Sequence, residues 1–156
     1  MIKAAVFSDS HGSVELMCQA VSRTRPDLII HLGDYERDCR ALLERFPAVP
    51  LYSVCGNCDL AALSPARDTV QIGPVRAFIT HGHLYNVKYY LDPLVYAAQE
   101  QGASLALFGH THEPENCEMG GVRLINPGSA GTGRRPSWAL IEVNDMGGIA
   151  CDIREL

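Results

Sequence analysis

The stretch IKAAVFSDSHGSVELMCQAVSRTRPDLIIHLGD, residues 2–34, decides the fold. It opens on a short apolar run, 2–8, that reads as a strand buried on both faces. The period then changes. Val14, Met17, Ala20 and Val21 recur on one face of a helix over 14–24, with Ser13 placed to cap it and Pro26 to stop it. DLIIHLGD, 27–34, is a second buried strand. Strand, helix and strand at this spacing predict a parallel pair with the helix lying across it.

The pattern continues outward from there. Residues 35–46 carry Leu42, Leu43 and Phe46 at helical spacing, and Pro47 and Pro50 close that helix and introduce a third strand, LYSVC, 51–55. Residues 60–68 read as a loop over the strand ends. TVQIG and VRAFIT, 69–73 and 75–80, read as a hairpin around Gly73-Pro74. Asp92-Pro93 gives a cap and a first-turn proline for a helix ending at Gly102. SLALFG, 104–109, is another buried strand, and CEMGGVRLIN, SWALIEV and IACDIRE read as antiparallel strands with Gly-rich turns. The fold class is therefore α/β: a mixed-sheet β-sandwich flanked by α-helices. A length of 156 residues predicts one domain, 1–156.

Composition removes several function classes. Net charge is −5 and the basic residues are scattered, with Arg134-Arg135 the only adjacent pair, so long nucleic acid is not an expected partner. No apolar run approaches the length of a membrane span. The N-terminus lacks the features of a signal peptide, which points to the cytoplasm. Six cysteines, at 18, 39, 55, 58, 117 and 151, show no secreted-scaffold spacing. A chain of this kind is compatible with homodimers or higher oligomers.

Metal-ligand residue types stand after the apolar runs. Asp9 and His11 follow the first, Asp34 the second, Asn57 the third; His81 follows VRAFIT, and His110 and His112 follow SLALFG. Strand ends of an α/β sheet lie along one edge, so these groups can converge. On an extended stretch, residues two apart point the same way, so D-x-H at 9 and 11 and H-x-H at 110 and 112 can each present two ligands together. Gly33 and Gly56 let the backbone turn sharply before Asp34 and Asn57. Two carboxylates, an amide and four imidazoles exceed the needs of one ion and suit two.

The order D-x-H, G-D, G-N-x-D, H-G-H, G-H-T-H resembles the calcineurin-like metallophosphoesterases. The small size, the GNCD variant and NPGSAGTGR resemble the compact prokaryotic phosphodiesterase branch (YfcE-type). The resemblance spans residues 5 to about 143. It implies a four-layer αββα fold. It also implies a first metal on Asp9, His11, Asp34 and His112, and a second on Asp34, Asn57, His81 and His110, with Asp34 bridging. The cofactors would be two divalent transition-metal ions, manganese first, with iron, nickel, cobalt or zinc also suited to mixed nitrogen and oxygen ligation. Metals about 3.5–4 Å apart generate a bridging hydroxide that attacks phosphorus. The implied activity is hydrolysis of small phosphodiesters.

Where the wider superfamily has a histidine in G-N-H, this chain has Cys58. A neutral thiol is a poor proton donor, which disfavours monoesters with poor leaving groups. Asp59 reads as orienting site groups or closing a turn, and His83 as meeting a substrate phosphate or orienting its loop. With Asp34 and Asn57 they form the candidate catalytic set. His31 reads as a satisfied core histidine, and Asn126 as a support to the site or an ordinary turn residue. Two rival functions exist. One is a thiol oxidoreductase on Cys55-Gly-Asn-Cys58. The other is a non-catalytic metal-binding scaffold, since the superfamily includes a retromer scaffold subunit of this fold.

Overall fold

The computed structural model describes residues 1–156. Ten strands form two five-stranded sheets. The first sheet is built from β1 (Ile2–Phe7), β2 (Leu28–His31), β3 (Leu51–Ser53), β9 (Ser137–Val143) and β10 (Ile149–Glu155), in the order β10-β9-β1-β2-β3. Its β1, β2 and β3 are parallel, and β9 and β10 run antiparallel beyond β1. The second sheet holds β4 (Arg67–Ile72), β5 (Val75–Thr80), β6 (Leu105–Leu107), β7 (Pro114–Met119) and β8 (Val122–Pro127), ordered β4-β5-β6-β8-β7. Here β5, β6 and β8 are parallel and the outer two strands antiparallel.

Three apolar layers follow from strand alternation. Ala4, Val6 and Ile30 meet Val70, Ile79 and Leu107 between the sheets. On the other face of the first sheet, Ala5, Phe7 and Ile29 pack with Met17 and Val21 of α1 (Val14–Thr24) and Leu42 of α2 (Cys39–Arg45). On the outer face of the second, Phe78, Ala106 and Leu124 pack under Leu94 and Ala98 of α3 (Asp92–Glu100). The layers run helix, sheet, sheet, helix. This explains why β1 and β2 read as unbroken apolar runs: both faces are covered. No helix is long and apolar enough to cross a membrane.

Several local readings need correction. Ser13 stands at the start of α1 but makes no side-chain cap bond, and Asp92 is the first residue of α3 rather than its cap. The helix expected over 35–46 is a 3-10 turn at Glu36–Asp38 followed by α2. Arg67 and Asp68, read as loop, pair with Thr80 and Ile79 and begin β4. The late strands divide between the sheets: β9 pairs with β10 as expected, whereas β8 also pairs in parallel with β6.

Candidate metal centre

The parallel strands of both sheets deliver their C-terminal ends to one edge. β1 leads into Asp9 and His11, β2 into Asp34, β5 into His81, and β6 into His110 and His112. Backbone bonds lock the loops together. The Asp9 N–H donates to the Gly33 carbonyl at 2.9 Å, and the His110 N–H to Asp9 Oδ2 at 3.2 Å. Two glycines let the loops after β2 and β3 approach closely. A Cβ on Gly33 would lie 2.6 Å from the Gly56 nitrogen, and one on Gly56 would lie 2.6 Å from the Asp34 nitrogen.

The ligand residues reach the edge by a route the D-x-H argument did not foresee. Asp9, His11, Asp34, His110 and His112 all have left-handed backbones, with φ of 51°, 44°, 56°, 70° and 62°. They are five of the nine non-glycine residues with positive φ. Convergence therefore comes from sharp kinks just past the strands, not from alternation along an extended chain. Each kink costs on the order of 1–3 kcal/mol, and such strain concentrates at functional sites.

Asp9, His11, Asp34 and His112 present ligand atoms within 4.8 Å of one another. His81 Nε2 lies 3.5 Å from Asp34 Oδ2 and 3.8 Å from Asp9 Oδ1. The His81 and His110 rings are 5.1 Å apart. Asn57 is the exception. It is exposed, its amide nitrogen lies 3.6 Å from Cys58 Sγ, and it makes no hydrogen bond to Asp34, His81 or His110.

Proton assignments show that this donor set suits a cation. His81 Nδ1 is 2.7 Å from the Leu32 carbonyl, which only accepts, so Nδ1 carries a proton and, in the neutral ring, Nε2 is a lone pair. That lone pair is buried, lacks a hydrogen-bond partner and faces two carboxylates. His11 Nε2 is likewise buried without a partner. For His112 the argument runs through two hydroxyls. Ser129 Oγ donates to the Asp9 carbonyl at 2.8 Å, so Thr132 Oγ1 must donate to Ser129 across their 2.7 Å contact. Thr132 Oγ1 then accepts from His112 Nδ1 at 3.0 Å, leaving Nε2 as a lone pair 3.1 Å from Asp9 Oδ1. With both rings neutral, acceptors face acceptors, an arrangement that a bound cation satisfies, and the outer partners fix the tautomers.

Burial pulls the Asp34 carboxyl up, but the Cys58 N–H bond at 2.9 Å, together with the charge of His81 when that ring is protonated, outweighs it and holds the group below its usual range. Burial, with His81 beside it, pushes His110 down to about 4, and the same two causes lower His83. These imidazoles are therefore neutral near pH 7. His83 stands 5.4 Å from His81 and 6.1 Å from His110 between ring centroids, and its buried Nδ1 has no partner.

Asp59 bonds three backbone N–H groups. Oδ2 accepts from the Asp34 and Gly56 N–H groups at 2.9 and 2.8 Å, and Oδ1 from Glu36 N–H at 3.0 Å. It closes its own turn and orients Asp34. His31 is a fully buried, fully satisfied histidine. Its Nδ1 accepts from Gly33 N–H at 3.2 Å, so Nε2 donates to Ser10 Oγ at 2.9 Å, and Ser10 donates to Asp38 at 2.7 Å. Burial drives its pKa down to about 4. Asn126 supports the site, donating to the Gly109 carbonyl and to Thr111 Oγ1. Arg135 pairs with Glu155 at 3.6 Å on the surface.

Sequence reasoning missed Ser10, Asp38, Ser129 and Thr132. The only signals were a serine inside S-D-S-H and hydroxyls inside a Gly-rich segment. Both thiols of the cysteine pair are free, and burial, with nearby Asp34 or Glu36, raises Cys58 and Cys55 above the ordinary thiol range. A reactive thiol needs the opposite shift.

Comparisons with known proteins agree with this geometry. Residues 2–146 match the calcineurin-like phosphoesterase superfamily domain. The chain is 38% identical over 127 residues to YsnB of Bacillus subtilis (strain 168), named a probable metallophosphoesterase, covering 80% of this chain and 72% of that one. A Streptococcus pneumoniae TIGR4 protein described as a predicted phosphoesterase superposes with a TM-score of 0.78 at 27% identity, over 99% and 98% of the two chains. Vps29 of Entamoeba histolytica, solved with zinc, shares the fold with a TM-score of 0.77 at 20% identity, over 99% of each. Strand order, the convergent ligand types and the match over nearly the whole length lead to one conclusion: the chain belongs to the calcineurin-like phosphoesterase superfamily.

Proposed function

We propose that this protein is a dinuclear-metal-dependent phosphodiesterase acting on small phosphodiesters. Asp9, His11, Asp34 and His112 would hold one ion, and Asp34, Asn57, His81 and His110 the second, with Asp34 shared. The observation that carries the reading is the buried His81 Nε2 lone pair aimed at both Asp34 and Asp9. To join the second set, Asn57 would turn its side chain away from Cys58. Divalent ions, with manganese the first candidate, supply Lewis acidity and lower the pKa of bound water.

The chain's own groups orient the substrate. His83 Nδ1, buried and unpartnered beside His81 and His110, meets a substrate phosphate oxygen. Asp59 fixes Asp34 through the backbone and takes no part in proton transfer. Cys58 stays a neutral thiol, so the leaving oxygen departs without strong protonation from that side chain. That favours diesters with good leaving groups over phosphomonoesters.

Chelator-stripped protein, reloaded in turn with Mn, Fe, Ni, Co or Zn, tests this with bis(p-nitrophenyl) phosphate beside p-nitrophenyl phosphate. Metal-dependent turnover with the diester preferred is expected. Absence of diester hydrolysis with every metal would refute the reading. The likeness to Vps29 favours a second one, a metal-binding scaffold, which predicts stoichiometric metal uptake with no turnover in the same assay.

A further inference from the structure

The metal centre opens into a cleft of about 900 Å³. His11, Cys58 and Asp59 line it together with Tyr35, Arg37, Leu43, Leu60 and Leu63. A phosphate alone needs a fraction of this space, whereas volumes of about 300–1,000 Å³ are typical of pockets that enclose a whole organic ligand.

The walls have an unusual composition for open surface. Leu60 and Leu63 are 91% and 97% exposed, and Leu43 is 48% exposed. Isolated exposed leucines need no explanation. These three converge on one cleft that runs into the metal centre. Leu63 is held in place: the Glu36 carboxylate accepts from the Leu63 N–H at 2.6 Å and from the Ser64 N–H, tying this loop to the segment that follows β2.

The same segment supplies flat polar surfaces. Tyr35, itself left-handed at φ 66°, sets its ring 4.7 Å from that of His11. The Arg37 guanidinium lies 4.5 Å from the Tyr35 ring centroid and pairs with no carboxylate. The neighbouring Glu36 and Asp59 carboxylates are held by backbone N–H groups and form no ion pair with it. A planar cation stacked on an aromatic ring can stack a second ring in turn. Aliphatic wall, aromatic ring and planar cation together match an arm that carries a flat π-system, not a purely aliphatic polar one such as glycerol.

We infer that this cleft receives a ring-bearing alcohol arm of the phosphodiester, aryl or nucleoside, and that Arg37, Tyr35, Leu60 and Leu63 select it. The inference rests on the phosphodiesterase reading for its substrate. It makes these four residues determinants of specificity, set apart from the metal ligands.

Two measurements test it. The first compares kcat/KM for bis(p-nitrophenyl) phosphate, thymidine 5′-(p-nitrophenyl phosphate) and methyl p-nitrophenyl phosphate, which share a leaving group and differ in the other arm. Leu63→Asp and Arg37→Ala should each lower the ratio of ring-bearing to methyl diester by about tenfold. Leu63 is almost fully exposed, so its substitution does not threaten folding. The second is methyl NMR of the protein, with and without added zinc, titrated with thymidine 5′-monophosphate, phenyl phosphate and methyl phosphate. Leu60 and Leu63 methyl signals should move with the ring-bearing monoesters and stay put with methyl phosphate. The stronger of the two responders distinguishes a nucleoside from an aryl arm. An unchanged diester ratio in both variants, or leucine methyls indifferent to both rings, would overturn the inference. Moving methyls in a protein that hydrolyses no diester would instead overturn the phosphodiesterase reading and leave the cleft assignment standing.

Discussion

Replacing Asp59 with alanine should destabilise the metal-free protein by about 4 kcal/mol. Its carboxylate accepts three backbone N–H groups, from Asp34, Gly56 and Glu36, at 2.9, 2.8 and 3.0 Å. Asp34 and Gly56 are buried, so water cannot readily replace the lost oxygen there. Each buried donor left unpaired costs about 1–3 kcal/mol, and the half-buried Glu36 N–H adds a smaller amount. The sum is a large share of a typical stability of about 5–15 kcal/mol. Asp59→Asn keeps one oxygen and, oriented toward Asp34 and Gly56, loses only the Glu36 bond, so it should cost roughly 1–2 kcal/mol. Urea unfolding of both variants without metal gives the two values. Affinity for added metal, read by calorimetry, should fall in the same order, because Asp34 loses its anchor. An alanine variant within about 1 kcal/mol of the parent would refute the idea that Asp59 staples the two loops.

Asp34→Asn should abolish most diester hydrolysis and weaken both metals; a folded variant with near-normal metal content and rate would contradict the shared-ligand assignment. His110→Ala and His112→Ala should disturb different ions, visible as distinct losses in the visible spectrum of cobalt-loaded protein, and identical spectra would oppose the division of ligands. Changing Cys55 and Cys58 together to serine should leave metal-dependent turnover within about tenfold of the parent, or ~1.4 kcal/mol of barrier; collapse of activity in a folded variant would count against this. His31 makes stability pH-dependent. Its folded pKa of about 4 lies below the ordinary 6.5, so the unfolded chain binds the extra proton first. Its contribution is intact above about 6.5 and falls as pH drops toward 4, by about 1.4 kcal/mol per pH unit and roughly 3 kcal/mol in all. His31→Gln should flatten the acid limb of a urea-midpoint-versus-pH curve by that slope, although His110 adds a limb of its own.

The layers of the fold were legible because burial on both faces leaves a plain mark: Ala4, Ala5, Val6 and Phe7 face alternate sides, yet all are apolar. The parallel pairing of β8 with β6 was not legible, since a hairpin such as β7-β8 reads the same whichever strand lies beyond it. At the site, residue types betrayed the ligands, but their backbone did not. Aspartate and histidine tolerate left-handed φ more readily than most residues, and nothing in D-S-H announces that conformation. The relays from His31 through Ser10 to Asp38, and from His112 through Thr132 to Ser129, were hidden for another reason. Small hydroxyl residues in loops look the same whether they face solvent or a histidine.

The left-handed kinks also govern how this molecule can change over generations. At Asp9, His11, Asp34, His110 and His112 a β-branched or bulky newcomer meets a steric penalty before any chemistry is considered, whereas asparagine or glycine slips in with the backbone undisturbed. The easiest exchanges at these positions are therefore ones that subtract charge or an imidazole and spare the architecture. A lineage can shed its cation while every strand, loop and surface stays where it was, and what is left is a rigid platform free to take up work other than hydrolysis.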